Sequence, residues 1–99
     1  MKTIELSGIM IDKIIDTVLE YYDIRKDDLF SSEKTYEIAH ARRIAMYFIR
    51  LKTSMSHGKI GVIFNRNGGN VHKIIEHILT SKNKYLKKQL AEIDALISS

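Results

Sequence analysis

The sequence predicts an all-α fold: a small helical domain with a helix-turn-helix and one further helix at its C-terminal end. Three observations lead there. Apolar residues recur at spacings of three and four along most of the 99 residues, and no period-two alternation persists for more than a few positions. The run Asn65-Arg66-Asn67-Gly68-Gly69-Asn70 is a strong turn signal between two such patterns. The last segment carries Leu86, Leu90, Ile93 and Ile97 at steps of four, three and four. A chain of this length buries roughly two-thirds of the surface exposed by its unfolded form, enough for one core and not for two, so residues 1–99 read as a single domain.

Taken in order, Ile11, Ile14, Ile15, Val18, Leu19 and Tyr22 form one stripe with Asp12, Lys13, Asp16 and Glu20 opposite. They predict a first helix from about Ile9 to Tyr22, its approach marked by Gly8. Asp23-Ile24 reads as a turn into Arg25–Phe30, where Leu29 and Phe30 tuck beneath the first helix and Asp23, Asp27 and Asp28 are expected to cap the turn. The polar run from Ser31 to Glu37 reads as a loop in which Ser31, Ser32 or Thr35 caps the next helix.

That helix, about Tyr36 to Ser54, points Ile38, Ala41, Ile44, Ala45, Phe48 and Leu51 at the core and turns Arg43, Tyr47 and Arg50 toward water. His57-Gly58 reads as a break before a short helix, Lys59 to Phe64. Beyond the turn, Val71, Ile74, Ile75, Ile78 and Leu79 restore the helical period, so residues 59–79 have the outline of a helix-turn-helix within a core of residues 9–79. Residues 81–97 form the additional helix. Its stripe packs on the same domain or, alternatively, meets a partner helix or second copy through Leu86, Leu90, Ile93 and Ile97.

Charge is segregated along the chain. Residues 1–37 carry five basic groups against nine acidic ones, and residues 76–99 carry four Lys against three acids. Between them, from Ile38 to Ile75, stand seven cations and no Asp or Glu: Arg42, Arg43, Arg50, Lys52, Lys59, Arg66 and Lys73. An exposed helix ordinarily mixes signs, so a cation-only stretch is the footprint expected for a polyanion.

The chemistry of that partner follows from the helix-turn-helix, whose second helix enters the major groove of double-stranded DNA. With Val71 facing inward, Gly69, Lys73 and Glu76 face outward, flanked by Asn70, His72 and His77. Asn70, His72 and Lys73 are the candidate base-reading side chains, Asn70 because an amide pairs bidentately with adenine and Lys73 because it reaches guanine or phosphate. Arg42, Arg43, Arg50, Lys59 and Arg66 are the candidate phosphate contacts, with Gly68 and Gly69 allowing close backbone approach; alternatively, the two glycines form only a turn capped by Asn67.

Other classes find little support. No cysteine is present, which excludes disulfides and Cys-based metal sites. The four His lack the spacing of a helical metal site, no catalytic constellation or phosphate loop occurs, and no cofactor or enzymatic activity is expected. The longest apolar run, Ile44 to Ile49, is too short for a membrane span, and charged residues near the N-terminus oppose a signal peptide. The expectation is a cytoplasmic protein.

Three segments carry a resemblance. "IIDTVLEYYDIRKDDLFS", "IAHARRIAMYFIR" and "IGVIF" followed by Arg66 and Val71 resemble the C-terminal DNA-binding domain of the bacterial replication initiator DnaA, over about two-thirds of the chain. The resemblance implies that domain's all-helical, Trp-repressor-like architecture and duplex DNA as partner. It also implies phosphate contacts at Arg42 and Arg43, and a DnaA-like domain concerned with replication or regulation. Two departures are visible. Where the family reads Gly-Gly-Arg-Asp-His-Thr-Thr-Val, this chain is one residue shorter and has Asn67, Gly68, Gly69 and Asn70 at the reading positions. The family's Arg-rich loop is here Ser32 to Glu37, with Lys34 its one cation. The alternative function is a protein-interaction module that keeps the scaffold and has lost specific DNA reading.

Overall fold

The computed structural model describes residues 3–32 and 34–99, with side chains from residue 8 onward. Met1, Lys2 and Glu33, the last within the expected polar loop, lie outside the described residues. Among the described residues six helices follow one another: α1 (Thr3–Tyr22), α2 (Lys26–Leu29), α3 (Tyr36–Thr53), α4 (His57–Phe64), α5 (Gly68–Thr80) and α6 (Lys84–Ser98). No strand occurs among the described residues.

The long α3 is the axis of the domain. It packs against α1, α2, α4 and α5, while α6 lies on α1. The inward stripes meet in one core, with Ile14 and Val18 from α1, Ile44 and Phe48 from α3, Ile60 and Phe64 from α4, and Val71 and Ile75 from α5 all buried. Leu51, expected in that core, is 52% exposed because the apolar strip of α3 runs out one turn before the helix does.

Helix ends explain where the boundaries fall. Asp23 and Asn65 sit in the left-handed region at φ 53° and 54°. Behind them Ile24 N–H bonds Leu19 O at 3.1 Å and Arg66 N–H bonds Gly61 O at 2.7 Å, the long return bonds that close α1 and α4. Ser54, at φ 61°, ends α3 with a bond from its N–H to Arg50 O. The break before α4 therefore falls at Ser54–Ser56. His57 and Gly58, expected as the break, form the first turn of α4, capped by Ser56 Oγ, which accepts from Lys59 N–H at 3.2 Å. Gly8 likewise lies inside α1, which begins earlier than its apolar stripe. Thr35 precedes α3 without a side-chain cap bond, and none of Asp23, Asp27 and Asp28 is the N-cap of α2, a position held by Arg25.

The stripe of α6 is used internally. Ile93 is 0% and Ile97 3% exposed, and Leu86 and Leu90 pack, partly buried, against the same core. Of the four residues offered to a partner helix or second copy, Ile93 and Ile97 are spent on this core, and Leu86 and Leu90 are partly covered by it. Polar ties add to the contact: Tyr21 Oη donates to Glu92, Tyr22 Oη donates to Gln89 Oε1 at 2.7 Å, and Lys52 pairs with Asp94 at 2.5 Å. The bond to Glu92 is the main reason the Tyr21 phenol is pushed up to about 12.

Candidate nucleic-acid interface

The α4-turn-α5 unit is held by close backbone packing. A Cβ at Gly61 would lie 2.3 Å from Arg66 O, and one at Gly68 would lie 3.0 Å from the Gly58 Cα, so only glycine lets the start of α5 nest against α4. Asn67 caps α5, its Oδ1 accepting from Gly69 N–H at 2.7 Å. Gly68 is thus a packing glycine, and the N–H of Gly69 is consumed by the cap. The observed geometry is the turn capped by Asn67, the alternative expected for this pair.

The outward face of α5 is as the period requires. Gly69, Asn70, His72, Lys73, Glu76 and His77 are all exposed, and Val71, Ile75 and Ile78 are buried on the opposite side. The three base-reading candidates therefore stand exposed in the first turns of α5, Lys73 outward and Asn70 and His72 on its two flanks. His72 also meets His57 of α4 edge-to-face, ring centroids 4.8 Å apart. Desolvation, followed by the positive charge of Arg50 and the neighbouring His72, lowers the pKa of His57, with Glu76 acting in the opposite direction.

The cations divide into two groups. Arg42 is 5% exposed, and its guanidinium donates inward to Leu29 O at 2.9 Å, Ser31 O at 2.9 Å and Asp28 O at 3.3 Å. The expected phosphate contact at Arg42 is thereby overturned: its donors saturate carbonyls at the end of α2, inside the protein. Arg66 bonds Phe64 O at 2.9 Å, Asn65 O at 3.3 Å and, from its other terminal nitrogen, Ser31 O at 3.4 Å. Arg50 donates to Met55 O at 2.8 Å and Ser54 O at 3.4 Å at the end of α3. Both are partly buried, so much of their donor capacity serves the fold. Arg43, Lys59 and Lys73 are exposed.

Arg43 and Lys73 come together although thirty positions separate them. With Ile74, His77 and Ile78 they line an open depression of about 370 Å³ between α3 and α5. Sequence spacing placed His77 at the flank of the reading face but gave no sign that it lies beside Arg43, which depends on how α5 crosses α3. Among the described residues no group of three or more His, Cys, Asp and Glu could hold a metal ion, and no helix is long and apolar enough to cross a membrane.

The family described as the bacterial DnaA protein helix-turn-helix matches residues 11–78. The chain belongs to this family. The chromosomal replication initiator protein DnaA of Thermosipho melanesiensis is 34% identical over 88 residues, covering 86% of this chain and 20% of that protein. The chain thus spans about a fifth of the length of the curated relative it matches. The DnaA-family stretch runs from α1 through most of α5, and α6 lies beyond it.

Proposed function

We propose that this chain binds duplex DNA with α5 in the major groove, as members of helix-turn-helix families do. The observation that carries the reading is the open face of α5, with Asn70, His72 and Lys73 exposed together and Arg43 of α3 standing beside Lys73. Arg43, Lys59 and Lys73 are the phosphate contacts in this reading. Arg50 and Arg66 add positive potential while their donors hold helix ends. Asn70 offers an amide to adenine and His72 a ring edge, whereas Gly68 and Gly69 carry nothing with which to read bases. Binding is accordingly expected to rest on the backbone, with modest sequence preference. Likeness to a chromosomal replication initiator supports a place in replication or its regulation.

Titration of a labelled duplex by anisotropy across salt concentrations tests this. Three phosphate contacts give a slope of log affinity against log salt of about −3. A duplex that fails to bind at low salt, or binds equally after Arg43→Ala and Lys73→Ala, refutes the reading. Selection from a random duplex pool then measures the sequence preference.

A further inference from the structure

The depression holding Arg43 and Lys73 is one end of a longer groove. Arg43, His77 and Ile78 also line a second hollow of about 240 Å³, together with Tyr36, His40, Asn83 and Leu86. Those last four residues in turn line a third, of about 290 Å³, with Tyr22, Glu37, Tyr85 and Gln89. The shared residues place the three side by side, from the cationic end on α5, along α3, to an aromatic end at the start of α6.

The aromatic end is unusual for a surface. Tyr36 is 74% and Tyr85 80% exposed, although large aromatic side chains are ordinarily put to use in a core. Tyr36 stacks nearly parallel on His40, with centroids 5.6 Å apart and planes at 13°, and Tyr22 meets the other side of that network edge-to-face. Gln89 Oε1 accepts from Tyr22 Oη at 2.7 Å and lies 3.1 Å from His40 Nε2, fixing His40 as the support on which Tyr36 lies. Along α3, Tyr36, His40 and Arg43 follow one another on one face. Seven residues of helix from Tyr36 to Arg43 rise roughly 10 Å, the length of about three stacked nucleotides.

Stacking faces at one end and phosphate-binding cations at the other are what a single strand of nucleic acid requires. We propose that this groove takes a short single-stranded DNA segment, its bases on Tyr36 and Tyr85 and its phosphates at Arg43 and Lys73. Continuity with the α5 face argues for DNA, because a strand leaving the duplex on α5 enters the groove at Lys73; the proposal rests on the duplex reading only for this origin of the strand. Among the described residues Glu37 is the one acid lining the three hollows, and its carboxylate accepts from the ring N–H of a stacked thymine. Lys82 and Lys84, on either side of Asn83 in the chain, are exposed.

Anisotropy of a fluorescein-labelled oligo(dT) of eight nucleotides, at low salt, tests the proposal alongside a labelled duplex. Saturable oligo(dT) binding is expected, with quenching of tyrosine fluorescence in a chain without tryptophan. Tyr36→Ala and Tyr85→Ala should each weaken it about fivefold or more. Tyr36→Phe should restore it, and duplex affinity should not move in any of the three. Both tyrosines are so exposed that these variants retain the core, which helical circular dichroism verifies. No oligo(dT) binding, or equal binding by the alanine variants, overturns the proposal, and tighter binding of oligo(rU) overturns its assignment to DNA. Duplex binding without oligo(dT) binding removes this inference and leaves the proposed function; the reverse pattern leaves the groove and removes duplex recognition.

Discussion

Arg42 and Arg43 are neighbours in the chain and opposites in the fold. One helical step of about 100° turns the first toward the end of α2, where three carbonyls take its donors. The second points into the open groove beside Lys73. The same contrast separates the partly buried Arg66 and Arg50, bonded to carbonyls at helix ends, from the exposed Lys59. Cations in one acid-free run therefore divide into those that close the protein and those that charge its surface. A count of positive residues overstates what is available to a polyanion.

Breaking the inner member should have the largest effect. Arg42→Ala removes the partner of three carbonyls and leaves a void, and is expected to cost about 3 kcal/mol in urea unfolding. Arg43→Ala should stay within about 0.5 kcal/mol of the parent. Equal losses for the two would erase the distinction. Glycines sharpen the same point: Gly61→Ala drives a methyl into Arg66 O and should destabilise by about 2–3 kcal/mol, while Gly8→Ala, with open space around its Cβ, should stabilise α1 by about 0.5–1 kcal/mol. Thermal melts of both variants give the comparison directly.

On the outer side, Arg43→Ala is expected to weaken duplex binding severalfold and reduce the salt slope by about 1, with Lys59→Ala behaving alike. Arg42→Lys, wherever it remains folded, should leave that slope unchanged. The smallest effect concerns His57. Its pKa lies below the ordinary value near 6.5, so the unfolded chain takes up the proton more readily and the folded state favours the neutral ring. The contribution to stability is full above pH 6.5 and is lost as pH falls toward the folded value. His72→Ala removes a like-charged neighbour and should raise the His57 titration midpoint seen by NMR; an unchanged or lower midpoint would show that His72 has no part in it.

Periodicity made the helices legible, including the inward stripes of α1, α5 and α6 and the outward face of α5. The Asn67 cap was legible only as the alternative to a phosphate role for Gly68 and Gly69, because Asn before Gly-Gly suits either use. The fate of Arg42 was not, since its position on α3 only borders the core, and burial was decided by the end of α2 arriving above it. The break at Ser54–Ser56 escaped for a related reason: Ser54 adopts a left-handed conformation that no glycine announced, while the glycine nearby, Gly58, lies inside the first turn of α4. Pairing Arg43 with Lys73 required the crossing of two helices, which one-dimensional spacing does not contain.

The carbonyl of Ser31 accepts from Arg42 at 2.9 Å and from Arg66 at 3.4 Å. That single oxygen pins the segment after α2, the long central helix and the corner between α4 and α5 to one another. A tug on the polar loop following Ser31 is therefore delivered, through a pair of guanidinium forks, to the angle at which α5 is held out from the protein.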